Sequence, residues 1–80
     1  MTKSNNKFAG VSMLKEQDLS GWYVKYIIHY MGKQLHTNTI FGGRTAHYGS
    51  IGRRTRAYIL REAREWAIKY GFTGAIARQM

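Results

Sequence analysis

The fold is decided by residues 22–41, which read WYVKYIIHYMGKQLHTNTIF. Aromatic and β-branched residues dominate both halves of this stretch, as is typical of β-strands. Gly32-Lys33 separates the halves, and a two-residue turn that begins with glycine joins antiparallel strands. The sequence therefore predicts a β-hairpin with strands Trp22–Met31 and Gln34–Phe41.

A second turn at Gly42-Gly43 predicts a third strand, Arg44–Gly49. The turns set the register, which places Ile28 opposite Thr37, and successive side chains alternate between the two faces of the sheet. One face is apolar and carries Val24, Tyr26, Ile28, Tyr30, Leu35, Thr37, Thr39, Phe41, Ala46 and Tyr48. The other is polar and carries Tyr23, Lys25, Ile27, His29, Gln34, His36, Asn38, Thr45 and His47.

A helix is predicted from Thr55, as N-cap, to Tyr70, with Gly71 as its stop signal. Apolar side chains recur along it at three- and four-residue intervals, at Ile59, Leu60, Ala63, Trp66, Ala67 and Tyr70. Such a helix can cover the apolar face of the sheet. The predicted fold class is α+β, a three-stranded antiparallel sheet packed on one C-terminal amphipathic helix (βββα). Ala75–Ala77 either adds a short fourth strand or leaves Phe72 to pack beneath the helix end.

The domain organisation follows from where the pattern begins. Residues 1–18 are interpreted as a flexible or partly helical N-terminal arm, with one helical turn capped by Ser12 between Ser12 and Asp18. Residues 19–80 form a single βββα domain, since no linker or repeat divides them.

Composition excludes several classes of protein. The 80 residues include no cysteine, so disulfide scaffolds, thiolate zinc sites and thiol nucleophiles are excluded. No apolar stretch approaches the ~18 residues of a membrane span, and the first 20 residues lack a signal peptide. We expect a soluble cytoplasmic protein with no membrane partner, of a size common in prokaryotes and phages.

Charge is the strongest functional signal. Thirteen Lys and Arg oppose four Asp and Glu, for a net charge of +9, so the chain attracts polyanions. Nucleic acid is the first expected partner, with DNA favoured over RNA, and an acidic host protein is the other.

Arginines gather around the predicted start of the helix. Their forked guanidinium groups suit phosphate oxygens, and cations at a helix N-terminus oppose the helix dipole unless an anion joins them. The alternative is a solvated surface in which Arg61 pairs with Glu65. The predicted phosphate contacts are Arg44, Arg53, Arg54, Arg56, Arg61 and Arg64.

The polar sheet face supplies the second set of expected contacts. Tyrosine can stack on bases, and the remaining side chains can hydrogen-bond to bases or phosphates. These residues are Tyr23, Lys25, His29, Gln34, His36, Asn38 and His47. Three histidines could hold zinc, but no carboxylate on that face supports them, so no metal or cofactor is predicted.

Catalysis is not expected. The only acids are Glu16, Asp18, Glu62 and Glu65, which offer no paired-carboxylate site. Residues 49–55, GSIGRRT, are too short between glycines for a P-loop and carry arginine in place of its lysine.

The layout of three strands and a helix over residues 21–71 resembles the arm-type DNA-binding domains of phage and transposon tyrosine integrases. That resemblance implies a sheet that enters the major groove, with Tyr23, Lys25, Gln34, His36 and Asn38 at the base-contacting positions. The strand–helix half is also similar to a double-stranded-RNA-binding domain, whose second helix begins with a basic cluster like residues 53–56. The chain contains no recombinase domain after the helix, so the integrase resemblance implies binding alone.

The sequence favours a small, basic, non-enzymatic nucleic-acid-binding protein that is regulatory or architectural and contacts double-stranded DNA. The alternative is a phage-type inhibitor or adaptor that docks on an acidic host protein or on the nucleic-acid path of a host complex. Open sheet edges permit a dimer as well as a monomer, and no residue pattern selects between them.

Overall fold

The computed structural model describes residues 7–19, 21–41, 46–47 and 50–79. Its elements follow the order β1 (Phe8–Asp18), β2 (Gly21–Tyr30), β3 (Lys33–Phe41), β4 (Ala46–His47), β5 (Ser50–Ile51), α1 (Arg53–Lys69) and β6 (Gly74–Ala77). The fold class is α+β, as predicted, and the short fourth strand near the C-terminus is present.

The main sheet has four strands in the order β3-β2-β1-β6. β1 pairs antiparallel with β2, which pairs antiparallel with β3, whereas β6 runs parallel to β1. A backbone hydrogen bond of 2.7 Å from the Thr73 N–H to the Lys7 carbonyl begins the parallel pairing. The first and last described strands are therefore neighbours in the sheet.

The prediction for residues 8–18 is wrong, because this segment is the longest strand of the sheet and not a loose arm or helical turn. Ala9 and Val11 are fully or almost fully buried against the helix, and Met13 packs at the edge of the same core. These three residues face the helix, and Gly10 and Ser12 between them face the other way. Such a two-residue period is typical of a half-buried strand. Residues 1–6 lie outside the described part of the chain.

The third strand of the predicted sheet is also assigned wrongly. Ala46–His47 pairs with Ser50–Ile51 in a separate two-stranded hairpin and not with β3. The edge of β3 where it was expected has no partner strand among the described residues, and β1 pairs instead with the other edge of the hairpin, along β2. Residues 42–45 and 48–49, which include Arg44, lie outside the described residues.

The β2–β3 hairpin turns one residue earlier than predicted. Its central residues are Met31 and Gly32, which both have positive φ angles, of 54° and 79°. Tyr30 therefore pairs with Lys33. A turn with two positive φ angles is the type that matches the twist of paired strands.

A β-bulge then changes which face each β3 residue occupies. His29 pairs with Gln34, but Ile28 pairs with His36, so Leu35 is an extra residue in β3. One extra residue moves every following side chain to the other face. Gln34 keeps its predicted face, whereas His36 and Asn38 lie on the helix-covered side.

One core lies between the helix and one face of the sheet. The helix contributes residues spaced four apart, and β1, β2 and β6 contribute the buried side chains of the sheet. The buried apolar residues are Ala9, Val11, Val24, Tyr26, Ile28, Ile59, Ala63, Ala67 and Ala75. Of the six predicted helix core residues, Leu60 and Trp66 are half-buried and Tyr70 is 58% exposed.

The helix ends are set by glycines. Gly52 is the N-cap, not Thr55, and no side chain caps the first turn. At the other end Gly71 has φ of +97°, and the Phe72 N–H donates to the Ala67 carbonyl at 2.8 Å. This is a Schellman motif, which confirms Gly71 as the helix stop. In the part of the chain described here, no helix combines the length and the apolar character that crossing a lipid bilayer requires.

Candidate nucleic-acid interface

Most of the described side chains on the sheet face opposite the helix are exposed or partly exposed, and we call it the uncovered sheet face. Tyr23 and Lys25 lie on it and are partly exposed, and Gln34 is exposed at its edge, as predicted. Phe8, Leu14 and Ile76 are each exposed by 40–46% on strands of the same sheet. This face is therefore more apolar than the polar surface that the sequence predicts.

His29 was expected to meet solvent on this face, but it is 4% exposed. Its ring packs over Gly10 of β1, directly across the strand pair. Its Nε2 lies 3.0 Å from Ser12 Oγ and 3.0 Å from the Arg78 carbonyl oxygen. His29 therefore ties the segment after β6 to β1 and β2 and cannot reach a nucleic acid without local opening.

The contact between Ser12 and His29 has the distance of a nucleophile and its base but not the protonation that catalysis needs. A carbonyl oxygen only accepts hydrogen bonds, so the His29 Nε2 beside the Arg78 carbonyl carries the proton. A protonated Nε2 cannot take the hydroxyl proton of Ser12, which itself donates to the same carbonyl at 3.1 Å. The pair is thus a structural clamp.

His36 and Asn38 lie in a groove between β3 and the helix, where the bulge has moved them. The His36 ring stacks on Trp66 with centroids 5.2 Å apart, and Trp66 contacts Tyr70 at 4.5 Å. Glu62 and Glu65 line the same groove. Lys69 lines the groove as well, so His36 and Asn38 lie beside two carboxylates and one cation, a less favourable setting for phosphate than the exposed arginines of the helix.

All five arginines of the helix are exposed. Arg54 and Arg61 lie on the side opposite the buried Ile59, Ala63 and Ala67, and Arg53 and Arg64 lie on the neighbouring flank towards β6. We call these four residues the arginine surface. Arg54 and Arg61 flank a shallow depression floored by the small side chain of Ala57. A row of guanidinium groups therefore faces solvent along the helix, and its members are spaced by one or two helical turns.

The arginine surface has no neutralising carboxylate among the described side chains. None of the described carboxylates forms an ion pair with it, so the Arg61–Glu65 pair of the alternative interpretation is not formed. Glu62 instead accepts hydrogen bonds from the hydroxyls of Tyr26, at 3.2 Å, and Tyr58, at 2.5 Å. The hydrogen bond from Tyr58 to Glu62 raises the pKa of Tyr58. Burial raises the pKa of Tyr26, and the charge of Glu62 raises it further.

The helix carries both of its carboxylates on one flank, with Lys69 beside them. Glu62 and Glu65 face β3. Arg64 lies against Gly74 of β6, and Arg56 lines a cavity with Ala77 of the same strand. The first turn of the helix contains no acidic residue.

The predicted interface is divided by the architecture. The helix lies on one face of the sheet, and the arginine surface lies on the outer side of the helix. Tyr23 and Lys25 lie on the opposite face of the sheet, beyond a layer of helix and a layer of strands. The two sets cannot contact the same straight duplex together.

The remaining predicted residues add little to the site. The backbone of His47 lies in β4, and Arg44 is outside the described residues. In that described part, no three His, Asp or Glu side chains come together as metal ligands. Arg78, which sequence reasoning passed over, lines a cavity with Arg56. Its only sequence signal was a basic residue just after the predicted fourth strand.

No protein-family model, curated protein or solved structure matches this chain. A proposal of function therefore rests on the side chains described above.

Proposed function

We propose that this protein is a small, non-enzymatic, regulatory or architectural binder of nucleic acid that contacts phosphates through the arginine surface. One observation carries the proposal: the exposed guanidinium groups of Arg53, Arg54, Arg61 and Arg64 form no ion pair with any described carboxylate, although the helix contains Glu62 and Glu65. Unpaired arginines on one helix side repel one another, and a row of phosphates relieves that repulsion.

Double-stranded DNA fits this surface better than double-stranded RNA. The major groove of B-form DNA is about 12 Å wide and admits an α-helix, whereas the deep, narrow groove of A-form RNA does not. The outer side of α1 is free along its length among the described residues, and Ala57 leaves room for close approach. In such a pose the arginines reach the phosphates that border the groove.

The proposal departs from the integrase-like arrangement in one respect. There the sheet enters the groove and the helix packs behind it, whereas here the helix carries the unpaired cations. The uncovered sheet face would then point away from the DNA.

An adaptor that docks on an acidic host protein is the second candidate. The exposed Phe8, Leu14 and Ile76 favour it, because apolar surface suits a protein partner and adds nothing to phosphate binding. This partner would contact the uncovered sheet face, and an acidic rim on it could reach Lys25.

Fluorescence anisotropy with labelled duplex DNA, duplex RNA and single-stranded DNA tests the first candidate. We expect binding to the DNA duplex at about 50 mM salt, with affinity falling steeply as salt is raised and depending little on sequence. Absence of binding to every nucleic acid at low salt would refute the proposal and leave the adaptor.

A further inference from the structure

Two arginines far apart in sequence line one cavity at the β6 edge of the sheet. Arg56 comes from the first turns of the helix and Arg78 follows the end of β6, and the cavity that both line measures about 280 Å³. Arg78 also lines a second cavity, beside His29, in which Arg56 takes no part. The remaining lining residues of the first cavity are Val11, Ser12, Met13, Ala77 and Gln79. We propose that this cavity binds a phosphate group between the guanidinium groups of Arg56 and Arg78.

The backbone around Arg56 adds to the positive potential. Its N–H donates to the Gly52 carbonyl at 2.9 Å, which places the side chain in the first helical turns. No side chain caps this end of the helix and no acidic residue lies in its first turn. The partial positive charge of the helix N-terminus therefore acts in the same direction as the two arginines.

Arg78 is held by its backbone although its side chain is exposed. Its N–H donates to the Val11 carbonyl at 3.0 Å, and its own carbonyl accepts hydrogen bonds from Ser12 and His29. Three hydrogen bonds thus hold a residue outside any strand. Ser12 and His29 position Arg78 through its carbonyl oxygen. His29 therefore contributes to the cavity although it does not line it.

Phosphate is the ligand class that the side chains select. Neither arginine forms an ion pair with a carboxylate of the described chain, and Glu62 and Glu65 lie on the other flank of the helix. Two guanidinium groups supply forked donors from two directions and two positive charges, which match a dianionic tetrahedral oxyanion better than a single carboxylate. Gln79 also lines the cavity, and a glutamine side chain has an amide donor.

The inference deepens the proposed function and rests on it for the source of the phosphate. Arg56 adjoins the β6 flank of the helix, the side on which Arg64 of the arginine surface lies against Gly74. A duplex on the arginine surface would therefore extend its backbone towards the cavity. Free inorganic phosphate is the other source of the same chemistry.

The test follows the arginine side-chain N–H signals and the Ser12 and Met13 amides by NMR while inorganic phosphate is added. We expect saturable shifts at Arg56 and Arg78 that acetate at equal ionic strength does not produce. Arg78→Ala should weaken phosphate binding by about tenfold or more, as expected for loss of a charge-assisted pair. Lys33→Ala removes one positive charge at the exposed start of β3, outside both the cavity and the arginine surface, and should change the affinity less than about twofold. Equal shifts at all arginines, or equal losses in the two variants, would overturn the proposal.

Duplex DNA in the same experiment separates this inference from the proposed function. If phosphate saturates the cavity but duplex DNA is not bound, the cavity stands and the proposed function fails. If duplex DNA binds equally to the wild type and to Arg78→Ala, and phosphate leaves Arg56 and Arg78 unshifted, the cavity fails and the proposed function stands.

Discussion

Gly10 and His29 are paired across β1 and β2, and the imidazole ring of His29 fills the space that a side chain on Gly10 would occupy. A Cβ at position 10 would overlap the ring itself. The glycine explains how a histidine becomes buried on a sheet face that is otherwise uncovered. It also places the ring beside Ser12 and the Arg78 carbonyl.

Gly10→Ala should destabilise the protein, because the added methyl group must displace the His29 ring and break its hydrogen bonds. We expect a loss of about 1–3 kcal/mol in the free energy of unfolding, measured with denaturant. Gly52→Ser is the control, since a Cβ there meets open space and serine is a good N-cap. That change should lie within about 0.5 kcal/mol of zero. Equal stability of the wild type and Gly10→Ala would contradict the packing described here.

Met31→Asn should stabilise the β2–β3 hairpin. Met31 has φ of 54° and is 85% exposed, so the backbone bears strain that its side chain does not repay in packing. Asparagine tolerates this conformation, and Asn-Gly is the preferred pair for such a turn. We expect a gain of about 0.5–1 kcal/mol in the free energy of unfolding. Met31→Ala keeps the strain and should show no gain, so a similar gain in both variants would refute this explanation.

Stability should fall at high pH in part because of Tyr26. Burial, followed by the charge of Glu62, raises the pKa of Tyr26 above 10.0, so the folded state favours the protonated phenol. This preference stabilises the folded state at pH values below the pKa of the tyrosine in the unfolded chain. The stabilisation is lost as pH rises through the pKa of Tyr26 in the folded protein. Unfolding measured between about pH 9 and 11 should show a steeper loss for the wild type than for Tyr26→Phe. Parallel curves would show that Tyr26 contributes nothing.

Variants of the arginine surface and of the uncovered sheet face should differ in the salt dependence of their DNA affinity. Each arginine that contacts a phosphate contributes about −0.9 to the slope of log affinity against log salt, so Arg54→Ala with Arg61→Ala should make the slope shallower by about two. Lys25→Ala removes a charge on the uncovered sheet face and should leave the slope unchanged. Anisotropy titrations at several salt concentrations measure both. If only Lys25→Ala changed the slope, the DNA-binding surface would be the sheet face and not the helix.

The central hairpin and the helix could be predicted from local signals. Dense β-branched and aromatic residues in 22–41 and the apolar spacing from Ile59 to Ala67 reflect burial, which leaves a direct periodic trace in sequence. Gly71 marked the helix end because a left-handed residue is required there. These features depend on a few neighbouring residues.

β1 and the bulge could not be predicted in the same way. β1 includes Lys15, Glu16 and Gln17, which favour helices, and its place in the sheet comes from pairing with β2 and with β6 far along the chain. The extra residue Leu35 has no local signature, yet it moves His36 and Asn38 to the other face. The same holds for the candidate site. The sequence predicts the arginines as phosphate contacts, but their separation from the uncovered sheet face depends on tertiary packing.

The parallel neighbour of β1 is translated only after the intervening strands and the whole helix have been made. While a nascent chain is still growing on the ribosome, Ala9 and Val11 lack the strand that closes their edge, and Ser12 and His29 have no Arg78 carbonyl to hold. Contacts between segments so distant in sequence form late, because the loop between them must close first. Nascent chains of this protein would therefore expose an unpaired strand edge, and the aggregation hazard that comes with it, until β6 emerges.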